Sequence, residues 1–213
     1  MRNSLEMRLG RKNIAKANGC ELISSKDIES VPLPHTFIED DINKKIQEEA
    51  RNTLELAMSD RKYQYGEVAI LFSTLDNSVH EKYEGEFHKV EFKDTNLHSV
   101  TVNRKTKDLI LVHNHPNNST FSGADIITLC SNMTISAIVA VGNTQSMHIL
   151  LKSMPSKNNA AQYVIKRGEQ LRQQANDIVD NIKKYRDIAA LDVLRNPANF
   201  GLSYERYNRR HVK

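Results

Sequence analysis

A mixed α/β sheet, with one helix ahead of it and another inserted in it, is the fold this sequence predicts. Three observations carry the prediction. Ile42, Ile46, Ala50, Leu54 and Met58 recur at intervals of four, the spacing of one helix face. Short apolar runs such as "EVAILF", "LILVH" and "ISAIVAVG" follow, at lengths that suit strands rather than helices. Between them lies "LILVHNHPNNSTFSGADI", Leu109 to Ile126, a polar cluster directly behind a run that reads as core.

Each element has its own warrant. Residues 1–36 have weak periodicity and end in "ESVPLPH", where two prolines fix an extended connector. The acidic pair Asp40–Asp41 suits a helix N-terminus, so a helix is expected from about 41 to 59. After it, Val68, Ile70 and Phe72 alternate with Glu67, Ala69 and Leu71 along a strand, and Asp76–Asn77 offers a tight turn. A further strand is expected near Gly85–Phe92. "LILVH" reads as a short buried strand ended by Pro116. A helix should start after Ser122 and end near Asn132, and Gly142–Asn143 should turn a hairpin between "ISAIVAVG" and "SMHILLKS". From about Asn158 to Leu194 the spacing is again helical, one helix that Pro197 stops.

The bulk numbers bound the class. A chain of 213 residues, 39% hydrophobic and 26% charged, has a globular composition and room for one large domain with terminal additions. The longest apolar runs fall far short of the ~20 residues that span a bilayer. The N-terminal "MRNSLEMRLGRKN" is basic but lacks the apolar stretch of a signal peptide, so a cytoplasmic protein without a membrane segment is expected. Two cysteines, Cys20 and Cys130, offer no disulfide framework and exclude a cysteine-rich zinc site. Any metal must then be held by nitrogen and oxygen. The net charge of +4 is modest, and the tail "YERYNRRHVK" reads first as a solvated basic terminus.

On a strand, alternate side chains share a face. His113 and His115 therefore point the same way, while Asn114 points opposite. Two imidazoles so placed can chelate one zinc ion, which takes tetrahedral nitrogen and oxygen ligands. Asp125, in the first turn of the following helix, is the natural third ligand. Three protein ligands leave a fourth position open to water, the arrangement of a catalytic rather than a structural site. Ser122 and Asp125 also match a helix-capping pair, and the two readings are compatible. Phe121 suits the hydrophobic staple before that cap, and Asn117 to Thr120 read as a solvated loop beside the site.

This stretch resembles the JAMM (MPN+, or JAB-domain) zinc metalloprotease motif: a glutamate, then H-x-H-P, a loop, and S-x-x-D. The elements stand as His113-Asn114-His115-Pro116 and Ser122-Gly123-Ala124-Asp125. The H-N-H-P wording is closest to bacterial and phage members, including RadC-like proteins. The loop between Pro116 and Ser122 holds five residues, one fewer than the commonest pattern. The resemblance spans about residues 60 to 155, and implies a cytidine-deaminase-like, MPN-type mixed sheet with a C-terminal helical extension. It divides the chain into an N-terminal extension (1–38), a metalloprotease-like domain (39–155), and a C-terminal helix with its basic tail (156–213).

The same resemblance implies the roles. His113, His115 and Asp125 would ligate Zn2+, and Ser122 would steady the oxyanion of a tetrahedral intermediate. The general base would be a glutamate on an earlier strand. Glu67, which opens "EVAILF", is the first choice, with Glu84 and Glu86 as rivals. The expected activity is hydrolysis of peptide or isopeptide bonds by activated water, the substrate a protein or peptide such as a ubiquitin-like tail. Two other functions stay open: a non-catalytic MPN-type scaffold or binding module, and a RadC-like role with nucleic acid, for which the basic tail is the independent support.

Overall fold

The computed structural model describes residues 2–60, 62–87, 106–144, 146–153, 159–175 and 181–209. Its centre is one six-stranded sheet: β1 (Val68–Ser73), β2 (Val79–Glu84), β3 (Leu109–His115), β4 (Ile135–Gly142), β5 (Met147–Lys152) and β6 (Leu202–Tyr207). The strand order is β2-β1-β3-β4-β5-β6. All neighbours are antiparallel except β3 and β4, which run parallel. A parallel pair needs a crossover. Helix α4 (Gly123–Ser131) provides it, so the chain leaves the carboxyl end of β3 through a loop and returns along a helix.

Helices cover both faces. On one lie α1 (Arg2–Ala17), α2 (Ser25–Glu29) and α3 (Asp40–Ser59). Here Ile46, Ala50 and Leu54 of α3 share a buried core with Ile23, Ile28, Phe72, Val112 and Val139. The four-residue spacing read from the sequence is thus the buried stripe of α3. Leu54 is fully buried, and its truncation to alanine would cost ~2–5 kcal/mol. On the other face lie α4, α5 (Ala160–Gln174) and α6 (Ile182–Arg195). Ile126, Leu129, Val164 and Val193 pack there against Leu71, Leu109, Leu111 and Ile138.

Three expectations need correction. The single helix over 158–194 is two, α5 and α6, folded back on each other: a Cβ on Gly168 would sit 2.8 Å from Arg186 Cγ, and the Tyr163 hydroxyl reaches Asp192. The basic tail is not solvated through its length, because residues 202–207 form β6 against β5. The aperiodic N-terminal segment forms two helices, and the short one carries a complete capping box between Ser24 and Asp27. A strand stands at Val79–Glu84, and of the strand expected near Gly85–Phe92, residues 85–87 are not in a strand and residues 88–92 lie outside the described residues. The helix at 40–59, the strand ending at His115, the helix after Ser122 and the hairpin around Gly142–Asn143 are present as expected.

Candidate metal centre

The site grows out of the register of the sheet. Ala69 of β1 pairs with His113 of β3, so Glu67, two residues earlier, falls opposite His115. All three side chains share the face that carries Ala69, Leu71 and Leu111. They sit at the carboxyl end of β3, where the loop to α4 begins, the usual place for chemistry in an open sheet with a crossover.

His113 and His115 are buried, at 3% and 6% exposure. Their Nε2 atoms face each other 2.8 Å apart. Two imidazole lone pairs cannot hold that separation without a proton or a cation between them. Asp125 supplies the matching negative charge: Oδ1 lies 3.3 Å from His113 Nε2 and Oδ2 lies 3.5 Å from His115 Nε2. Bonds of ~2.0–2.1 Å in tetrahedral array separate neighbouring ligand atoms by about 3.3 Å. The Asp125 distances fit that edge, and the pair of nitrogens is slightly closer. Ligand atoms of Glu67, His113 and His115 all lie within 4.8 Å of one another, and this group could hold a metal ion.

Ionisation follows the same geometry. Burial opposes charge on the His115 ring. The hydrogen bond and charge of Asp125, with the charge of Glu67 and the Ser119 carbonyl, outweigh it and push the ring up to about 9. Burial likewise opposes ionisation of Asp125, but the charge of His113 and hydrogen bonds from both rings hold it well below the usual carboxylate range. Glu67 is raised, chiefly by burial and further by Asp125, against the opposing pull of the two histidines and Lys183. One carboxyl is thus held ionised beside the two imidazoles, and a second is raised by its burial.

Local structure orients these groups. Asp125 stands at the third residue of α4, and Ser122 is the N-cap. The Ser122 backbone N–H and hydroxyl each donate to Asp125 Oδ2 at 2.7 Å. The capping pair and the imidazole-facing carboxylate are one device. The Ser122 hydroxyl proton rests on Asp125 here, so service as an oxyanion donor requires that rotor to turn. The Ser119 carbonyl lies 2.9 Å from His115 Nδ1. Accepting a proton there leaves Nε2 free as a ligand. His113 Nδ1 is buried and has no partner among the described residues. Phe121 and Ile126, at the two staple positions, belong to one buried cluster.

The centre forms part of the wall of a cavity of about 620 Å³ lined also by Asn117, Ser119, Lys183 and Asp187. Lys183 and Asp187 come from α6, some sixty residues beyond the motif, and no local pattern in the sequence marked them. Asp187 Oδ1 accepts from the Gly123 N–H at 2.8 Å, which ties α6 to the start of α4. Glu86 is exposed and does not line the cavity. The backbone of Glu84 pairs with Val68, while its side chain lies outside the described residues. No family model, curated protein or solved structure significantly matches the chain.

Proposed function

We propose that the chain is a JAMM-type, zinc-dependent hydrolase of peptide or isopeptide bonds. The observation that carries this reading is the convergence of two imidazole Nε2 atoms and the Asp125 carboxylate within 3.5 Å on the wall of an accessible cavity, with Glu67 beside them. The donor set is nitrogen and oxygen without thiolate, and the two Nε2 atoms stand 2.8 Å apart, close to the edge of one coordination shell. His113, His115 and Asp125 would hold Zn2+. When bound, that ion supplies Lewis acidity, activating water at neutral pH and polarising the substrate carbonyl.

The protein's own groups carry the rest. Glu67 accepts a proton as a water oxygen bonds to the carbonyl carbon, and returns it to the nitrogen as the C–N bond breaks. Ser122 turns its hydroxyl from Asp125 toward the carbonyl oxygen as charge develops there. Asn117 and Ser119 of the loop after β3, with Lys183 and Asp187 of α6, line the cavity beside these groups, where a substrate chain would lie. Of the basic tail that would carry a nucleic-acid role, Arg209 is buried with its guanidinium donating to the carbonyls of Asp27, Asn143 and Gly142, and residues 210–213 lie outside the described residues.

The test is a pair of variants of the purified protein. Glu67→Gln should keep one zinc per chain and lose turnover of ubiquitin-like fusions by about 10²–10⁴-fold. His113→Ala should lose the zinc as well. A wild-type protein that binds no stoichiometric divalent metal would overturn the reading. Zinc binding with no effect of Glu67→Gln on any hydrolysis would leave a binding module.

A further inference from the structure

The sequence makes Asn114 a spacer between two ligands. Its side chain is fully buried and every polar hydrogen on it is used. The Val68 N–H donates to Asn114 Oδ1 at 2.7 Å, and Asn114 Nδ2 donates to the Gly66 carbonyl at 2.9 Å. Those two backbone groups bracket Glu67 on either side. At this point the β1–β3 backbone ladder has stopped after Ala69↔His113, and the carboxamide continues it by one further step. The second Nδ2 hydrogen goes to Asn143 Oδ1 at 2.8 Å. Asn143 is itself fully buried. Its Nδ2 donates to the carbonyls of Glu21 and Tyr65, and its backbone N–H to the carbonyl of His115. Both amides therefore have one orientation that satisfies all their donors.

Position 66 is sterically closed as well. A Cβ on Gly66 would lie 2.7 Å from the Tyr63 carbonyl oxygen and 2.8 Å from that of Glu86. The backbone around Glu67 is thus pressed by the Tyr63 and Glu86 carbonyls and clasped by Asn114, whereas the Glu67 side chain has no hydrogen bond of its own among the described residues to fix it. We infer that Asn114, oriented by Asn143, is the positioning residue for Glu67: it sets the acid's distance from the two imidazoles through the backbone on both flanks. The inference rests on the reading of Glu67 as the general base. A buried clasp is a stronger device than a side-chain contact here, because it leaves both Glu67 oxygens free for protons.

Co2+ substitution supplies a readout that does not need the natural substrate. The visible absorption of the Co2+-loaded protein, followed against pH, responds to the acid beside the metal. Glu67→Gln is the reference: it should keep one Co2+ per chain and move the pH midpoint of the spectrum. Asn114→Ala should keep one Co2+ per chain and move that midpoint in the same direction. It should also lower kcat on any cleaved fusion about 10–100-fold, with KM within a fewfold. Asn143→Ala, which spares both Glu67-flanking bonds but frees the amide to turn, should do the same by a smaller factor and carries the test if Asn114→Ala fails to fold. Folded variants that keep both the spectrum and kcat within twofold of wild type, while Glu67→Gln moves them, would overturn the inference and leave the base intact. Loss of Co2+ stoichiometry in Asn114→Ala and Asn143→Ala would also overturn it, by showing an action on the ligands. A Glu67→Gln protein with neither change would instead sink the reading on which the inference stands.

Discussion

Two histidine sites lie on the same face of the sheet, two strands apart, and they behave oppositely. One cross-strand row runs Ala69, His113, Ala140, His148, Arg206. Around His113 and its neighbour His115 are two carboxylates and a cavity. Around His148 are aromatic rings: Tyr204 stacks at 6.0 Å and Phe121 stands edge-on at 6.4 Å. Burial, with the charges of Arg206 and His115 against it, lowers His148 to about 4, and its Nδ1 lies 2.7 Å from the Tyr204 hydroxyl. Depth in the fold is the same for both, at 3% and 5% exposure. The neighbours make the difference: carboxylates flank one, which could hold a metal ion, and aromatic rings flank the other, a neutral packing unit, with Phe121 between them.

The comparison breaks most visibly at the acid. Asp125→Ala should weaken Zn2+ binding by more than about 100-fold in a chelator competition, exceeding the effect of an outer-sphere partner. His148→Phe should leave the affinity within threefold. Equal losses in the two variants would mean that the sites are not distinct.

A medium effect concerns pH in chelated protein. His148 sits at about 4 when folded against an ordinary 6.5, so the unfolded chain binds more protons in that window. Its contribution of up to about 3 kcal/mol is lost as pH falls from 6.5 toward 4. His115, pushed up to about 9, acts the other way: its contribution is full below 6.5 and is lost as pH rises through 9. Urea midpoints in excess chelator should therefore peak near pH 6–7 and decline on both sides. A flat profile from pH 4 to 9 would contradict both environments. The smallest effect is local: Tyr204→Phe removes one hydrogen bond to His148, should cost about 1 kcal/mol, and should not change metal stoichiometry.

Much of the candidate metal segment was legible because it is local. A strand period of two, a proline stop and a capping pair fall within seventeen residues, so spacing alone brought His113, His115, Ser122 and Asp125 to one end of one strand. Glu67 needed a single antiparallel neighbour. The rest depended on partners far along the chain. The strand Leu202–Tyr207 carries Arg206 and Glu205 among its aromatics and reads as a charged tail; pairing with β5 makes it a strand. The break between α5 and α6 has no glycine or proline at the start of α6, where Asn181 caps the new helix by accepting from the Lys184 N–H. Asn114 had the right parity to face away from the two histidines, and sequence spacing gives no sign that its amide reaches the neighbouring strand's backbone. Lys183 and Asp187 reach the cavity through helix packing at Gly123, where a Cβ would lie 2.8 Å from Arg186.

The segment ahead of α3 is joined to the site by main chain: the Glu21 N–H donates to the carbonyl of Pro116 at 2.7 Å, and the Glu21 carbonyl receives Asn143. Cutting the protein back to its sheet-building portion would therefore unlatch the very turn that follows the second imidazole. A shortened form beginning at Asp40 should be nicked by proteases between Pro116 and Ser122 at doses the whole chain resists, and adding the missing piece back as a separate peptide should restore that resistance.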